Sequence, residues 1–128
     1  MRHLLPEGWS RPSGYSNGII ADGVQVHVAG MIGWNEKGEL ADTFEGQVEQ
    51  ALRNTLAVLA EGDAGPEHIV RMTWYVTDLD AYRSKLKEVG AVWRSVIGKH
   101  FPAMAVVGVS ELVERDALVE IESTAVLD

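Results

Sequence analysis

The sequence predicts an α+β fold: one mixed β-sheet with two helices packed on one of its faces. Three observations carry that prediction. Several short runs are rich in β-branched and aromatic residues and alternate in polarity, as half-buried strands do. Two longer runs place apolar residues at helical spacing. These runs follow one another in the order β-β-α-β-α-β-β, and helices set between strands favour a single sheet covered on one side. The 128 residues suffice for one domain, residues 1–128, with a sizeable core.

In chain order, a short strand near Arg2 to Leu5 precedes the turn-rich stretch Pro6 to Gly14, whose two prolines and two glycines read as loop. Tyr15 to Ile20 and Val24 to Ala29 read as strands, and Asp22-Gly23 between them is a hairpin turn signal. Gly30 in a strand context predicts a bulge or the close approach of another backbone. Asp42 with Glu45 resembles a capping box. In the helix that follows, Phe44, Val48, Ala51, Leu52, Thr55, Leu56 and Leu59 share one face, and Gly62 ends it. Gly65-Pro66 opens a short helical turn, and Ile69 to Thr77 reads as a strand. Asp78 or Asp80 caps a second helix carrying Leu79, Tyr82, Leu86, Val89, Trp93 and Val96, closed by Gly98. The strand Ala103 to Val109, a charged turn over Glu111 to Asp116 and a return strand from Ala117 to Ala125 complete the chain.

On that last strand Val119, Ile121, Ser123 and Ala125 share one face, and Leu118, Glu120, Glu122 and Thr124 the other. Two carboxylates therefore project together beside an apolar strand, either on a solvated sheet face or into a cleft. Trp74, Val76, Met104, Val106 and the valines near Val24 supply more apolar surface than two helices would cover. That surplus predicts self-association through the sheet.

Composition narrows the function. Hydrophobic residues make up 46% and charged residues 23%, as in ordinary globular proteins. Eleven basic against nineteen acidic residues give a net charge of −8, which argues against a nucleic-acid partner. With no cysteine there is neither a disulfide framework nor thiolate chemistry. No apolar run approaches the ~20 residues of a membrane helix, and Met1 to Glu7 lack a signal peptide's long apolar run. The expectation is a cytoplasmic protein without membrane partners.

His3, His27, His68 and His100 show no i,i+3 or i,i+4 pairing, so no zinc-ligand spacing arises and no metal is expected. Gly14-Tyr15-Ser16-Asn17-Gly18 lacks the register of a phosphate-binding loop and opens no helix. No serine carries a nucleophile-elbow signature.

Several segments, in order, resemble the Rid family, the reactive intermediate deaminases also called the YjgF family. They are Gly14-Tyr15-Ser16-Asn17-Gly18 followed by a hairpin; Val28-Ala29-Gly30-Met31-Ile32; Gln47 with Ala51-Leu52-Arg53-Asn54; Ile69-Val70-Arg71-Met72-Thr73 with Val76-Thr77-Asp78-Leu79; Phe101-Pro102-Ala103; and Ala117-Leu118-Val119-Glu120-Ile121-Glu122. The resemblance spans nearly the whole chain. It implies a chorismate-mutase-like fold, a homotrimer packed sheet to sheet, and small-molecule clefts between subunits. In active members the implied reaction is hydrolysis of enamines or imines, such as 2-aminoacrylate, to a keto acid and ammonia, with no metal or organic cofactor.

Carried over residue by residue, the resemblance places the family's tyrosine at Tyr15 and its glutamate, which positions water and handles protons, at Glu120. The family's arginine after Phe-Pro-Ala, a fork for the substrate carboxylate, is Met104 here. The asparagine position falls on Gly90, and the serine before Gly30 is Ala29. Loss of a charged partner for a buried carboxylate costs about 2–5 kcal/mol, so 2-aminoacrylate turnover is expected to be weak or absent. Met104, with Ala29, Gly90 and Val106 near it, offers a soft apolar wall for a larger or less charged ligand.

Two functions remain open. One is an enamine or imine deaminase with altered substrate preference, in which Glu120 is general acid/base, Tyr15 a hydrogen-bond donor and Arg11 a replacement clamp. The other is a trimer that binds or senses a metabolite without turnover. In that case Glu120 bonds backbone amides at an interface, Tyr15 is a packed aromatic and Arg11 an exposed loop residue. RNA cleavage, a third activity attached to relatives, is disfavoured by the charge and by the lack of a catalytic histidine pair.

Overall fold

The computed structural model describes all 128 residues. Strands β1 (Arg2–Leu4) and β2 (Gly18–Ile20) pair with each other in a small antiparallel sheet. Strands β3 (Val24–Met31), β4 (Ile69–Val76), β5 (Ala103–Gly108) and β6 (Val119–Leu127) form the main sheet in the order β3-β6-β4-β5. Only β4 and β5 run parallel; β6 is antiparallel to both β3 and β4. Helices α1 (Phe44–Glu61), α2 (Leu79–Ser84) and α3 (Leu86–Val96) complete the fold, with a 3₁₀ turn at Pro66–His68.

The alternation on each strand sorts the sheet into two faces. Trp74, Val76, Val119, Ile121 and Ala125 are buried in one cluster with Val48, Leu52 and Leu59 of α1 and Val89 and Trp93 of α3. Gln25, His27, Arg71, Thr73, Tyr75, Glu120, Glu122 and Thr124 alternate with these and occupy the other face. The expected apolar surplus is therefore misplaced in part: Trp74 and Val76 are 1% and 0% exposed because the helices do cover them, whereas Val24 is 67% exposed. Met104 and Val106 pair with Met72 and Trp74 and lie on the helix side as well. The open face is mostly polar and charged, with Val107 exposed beside Tyr75.

Two pairings differ from expectation. Asp22-Gly23 turns the chain, but β2 leaves the main sheet to pair with β1, so β2 and β3 form no hairpin. Nor does β6 return beside β5; it inserts between β3 and β4, and β5 is left at the edge. Parallel β5 would leave β6, if it were on that edge, without the α1-facing neighbours that bury Val119, Ile121 and Ala125.

Thr43, rather than Asp42, caps α1, its hydroxyl accepting from the Gly46 N–H at 3.0 Å. Asp78 caps α2 as expected. The second helical run is broken at Lys85, where no glycine or proline announces the break. The break lets Tyr82 pack edge-on against both Trp74 and Phe44, while Lys85 reaches Glu45 at 3.5 Å.

Candidate functional site

The loop before β2 is fixed against the edge of β5. The Ser16 N–H donates to the Pro102 carbonyl at 2.9 Å, and the Ser16 hydroxyl donates to the Phe101 carbonyl. His3 Nδ1 lies 2.7 Å from that hydroxyl, and the His3 ring meets the His100 ring edge-on. His100 in turn bonds the Ile69 carbonyl, and Trp93 Nε1 donates to the His100 carbonyl at 3.1 Å. These bonds hold Tyr15 over the edge where Met104 sits.

Between this loop, β5 and α3 lies a cavity of about 720 Å³. Ser13, Gly14 and Tyr15 form its loop side, and Met104, Val106 and Trp74 its sheet side. Tyr82, Leu86, Val89, Gly90, Trp93, Arg94 and Phe101 enclose the rest. Its walls are aromatic: Phe101 stacks on Trp93, and Trp93 packs against Trp74, with centroids 6.3 and 6.2 Å apart. Burial raises the Tyr82 pKa above its ordinary value, keeping that phenol protonated as a donor. The buried Trp74 Nε1–H has no acceptor.

A second hollow, about 340 Å³, opens on the other side of the sheet. The β-bulge between Val28 and Met31 brings Gly30 under Glu120 of β6. The anticipated bulge is present, and what approaches Gly30 is the Glu120 side chain rather than a backbone. Met31, Ile32, Trp34, Asn54, Leu112, Val113 and a second carboxylate, Glu114, complete the rim. The half-buried Glu120 carboxylate has no hydrogen-bond partner. Its neighbour Glu122 differs: it accepts from the Tyr75 hydroxyl at 2.6 Å, which raises the tyrosine's pKa.

A family model described as Endoribonuclease L-PSP matches residues 10–127. The chain belongs to this family, the Rid or YjgF family. A RutC family protein of Aquifex aeolicus is 36% identical over 113 residues, covering 88% of this chain and 87% of that protein. The RutC family protein UK114 of Drosophila melanogaster is 32% identical over 118 residues, covering 87% of this chain and 78% of that one. The crystal structure of the Rid-family protein YyfB from Yersinia pestis superposes with a TM-score of 0.85 at 31% identity, covering 98% of each chain.

The Rid chain thus has the chorismate-mutase-like fold expected of it, and its site residues fall into two groups. Tyr15, Gly90, Met104 and Val106 share the aromatic cavity. Gly30 and Glu120 share the hollow on the opposite face, so within one chain Tyr15 and Glu120 stand in separate environments. Ala29, expected near Met104, lines a shallow groove with His27, Arg71 and Thr73 instead. The reason is strand parity: Met104 pairs with Met72 on the helix side, whereas Ala29 lies across from Thr73 and Glu122 on the open side. Arg11 lines neither hollow.

Helical spacing marks Tyr82, Leu86 and Trp93 only as packing residues, Trp74 stands in the sequence as part of an apolar surplus and Phe101 as part of a family motif, and nothing local marks Arg94. The available signal was Leu86, Gly90 and Arg94 at i, i+4 and i+8, a helical stripe with a glycine at its centre and a cation at its end.

Proposed function

We propose that this Rid protein is a homotrimer with a small-molecule cleft between subunits, where it hydrolyses an enamine or imine metabolite to a carbonyl compound and ammonia. The observation that carries this reading is the division of the site. Tyr15, Gly90 and Met104 line a cavity at the β5 edge, and Glu120 lines a hollow on the other sheet face. Each half is incomplete alone, and a neighbouring copy can bring one half against the other. Val113, fully exposed on the rim of the Glu120 hollow, is apolar surface suited to such a contact.

In the assembled cleft, Glu120 of the partner subunit takes a proton from water as the water oxygen attacks the carbon of the protonated imine, giving a neutral carbinolamine. The protonated carboxyl then returns that proton to the departing nitrogen. The C–N bond breaks as the carbinolamine hydroxyl gives its proton to the Glu120 carboxylate, the carbonyl forms and ammonia leaves. The free carboxylate, unpartnered beside Gly30, is suited to this work. Tyr15, which makes no hydrogen bond within the chain, donates to the substrate. No arginine follows Phe101-Pro102-Ala103, so the preferred substrate differs from 2-aminoacrylate. Met104→Arg is expected to raise turnover of small 2-imino acids by about tenfold or more.

Subunit complementation tests the cleft. Tyr15→Phe and Glu120→Gln proteins, each inactive in ammonia release from a panel of enamines, are unfolded together and refolded as mixed trimers. A shared site predicts recovery at about a quarter of the sites, whereas no recovery, with wild-type protein active after the same treatment, refutes it. Saturable ligand binding with no turnover of any substrate would leave a metabolite-binding trimer.

A further inference from the structure

We propose that Arg94 is the anion anchor of the aromatic cavity, and that the cavity takes a carboxylate borne on a planar apolar body, an aryl-substituted acid. This rests on reading the cavity as one half of the ligand cleft.

Of the 13 residues lining the cavity, Arg94 is the only one that carries a charge. It sits one helical turn after Gly90. A Cβ built at Gly90 would meet a single heavy atom within 4 Å, Arg94 Nη1 at 3.6 Å. The guanidinium therefore lies back over Gly90, as side chains on a helix lean toward its N-terminus. The missing side chain at 90 leaves the cation bordering the cavity. Arg53 and Arg83 are engaged with Glu49 and Asp80, but Arg94 makes no hydrogen bond or ion pair. The planar fork is thus free to receive a carboxylate. The chain's net charge of −8 repels anions elsewhere, so a local cation decides where one binds.

The body of the ligand follows from the walls. Trp74, Trp93, Phe101 and Met104 present flat or soft apolar surface, and about 720 Å³ far exceeds a three-carbon acid. Met104 has removed a cation from the sheet side, and Arg94 supplies one from the helix side. The anion then binds at the rim and the apolar body inside.

Calorimetric titration of the assembled protein with phenylacetate, phenylacetamide and acetate tests this, with quenching of the wall tryptophans as a second readout. Phenylacetate is expected to bind saturably and about tenfold more tightly than either of the others, with an advantage over the amide that shrinks as salt is raised. Arg94→Gln should erase the difference between acid and amide while leaving the melting temperature and amide binding in place, and Arg94→Lys should restore part of it. Equal binding of acid and amide, absence of saturable phenylacetate binding, or loss of discrimination in Arg11→Gln rather than Arg94→Gln overturns the assignment. If Arg94→Gln erases the discrimination while mixed trimers of Tyr15→Phe and Glu120→Gln stay inactive, the anchor stands and the shared hydrolytic cleft falls. If mixed trimers recover but Arg94→Gln discriminates as wild type does, the cleft stands and the anchor falls.

Discussion

A methyl group at Gly30 would sit 2.6 Å from Glu120 Oε1 and 2.8 Å from its Cδ, so the absent side chain fixes where the carboxylate rests. Gly30→Ala must push Glu120 aside, and a misplacement on the order of 1 Å costs about a hundredfold in rate. The expected outcome is a folded protein with kcat reduced to that extent in the ammonia-release assay. Gln47 shows the same dependence on fit in the core. Its Nε2 donates to the Ala41 and Asp116 carbonyls at 3.0 and 3.3 Å, and its Oε1 accepts from the Leu118 N–H at 2.7 Å. It thereby ties α1 to the loop that leads into β6. Gln47→Leu leaves those backbone groups without partners and should lower stability by about 2–4 kcal/mol in urea unfolding. In the sequence Gln47 was visible only as part of a resemblance, because its partners lie as far as 71 positions away.

At the scale of elements, the end of α1 and the cap of α2 were legible, whereas the cap of α1 and the break at Lys85 were not. Gly62 and Asp78 act as the sequence predicts because capping depends on a few adjacent residues. Lys85 interrupts an unbroken apolar spacing because Tyr82 must turn onto Trp74 and Phe44, partners distant in sequence. The start of α1 gives a pH prediction. A hydrogen bond from its own backbone N–H, aided by the hydroxyl of Thr43 and by Lys85, outweighs burial and holds the Glu45 pKa below its ordinary value of 4.5. A carboxylate depressed in the folded state stabilises it fully above the unfolded pKa, and that contribution is lost as pH falls through the folded value. Melting temperature should therefore drop on acidification below about pH 4.5, and Glu45→Gln should flatten part of that slope in thermal melts followed by circular dichroism.

For the whole molecule, the apolar surface left uncovered is mostly at the rims, with Val107 beside Tyr75 the exposed valine of the open sheet face. Trp9 and Val113 are 61% and 104% exposed, whereas the open face carries Arg71, Glu120, Glu122 and Thr124. If copies meet around the Glu120 hollow, Val113→Asp places a charge in the contact. Sedimentation velocity should then show dissociation into smaller species, with ammonia release falling in parallel because the cleft is lost. An unchanged sedimentation coefficient would move any interface elsewhere.

The sequence by itself determined the helical and extended character of most segments, which side chains share a strand face, and membership of the Rid family. Each of these is encoded by periodicity or motif within a few neighbouring residues. Tertiary structure alone decided that β6 lies between β3 and β4, that β2 leaves the main sheet, and that Tyr15 and Glu120 face different hollows. Strand partners are chosen by which edges are free and which order buries the most apolar surface, a comparison over the whole chain. The placement of Arg94 beside Gly90 and the aromatic walls is of the same kind, since a cation's role depends on what the fold brings within its reach.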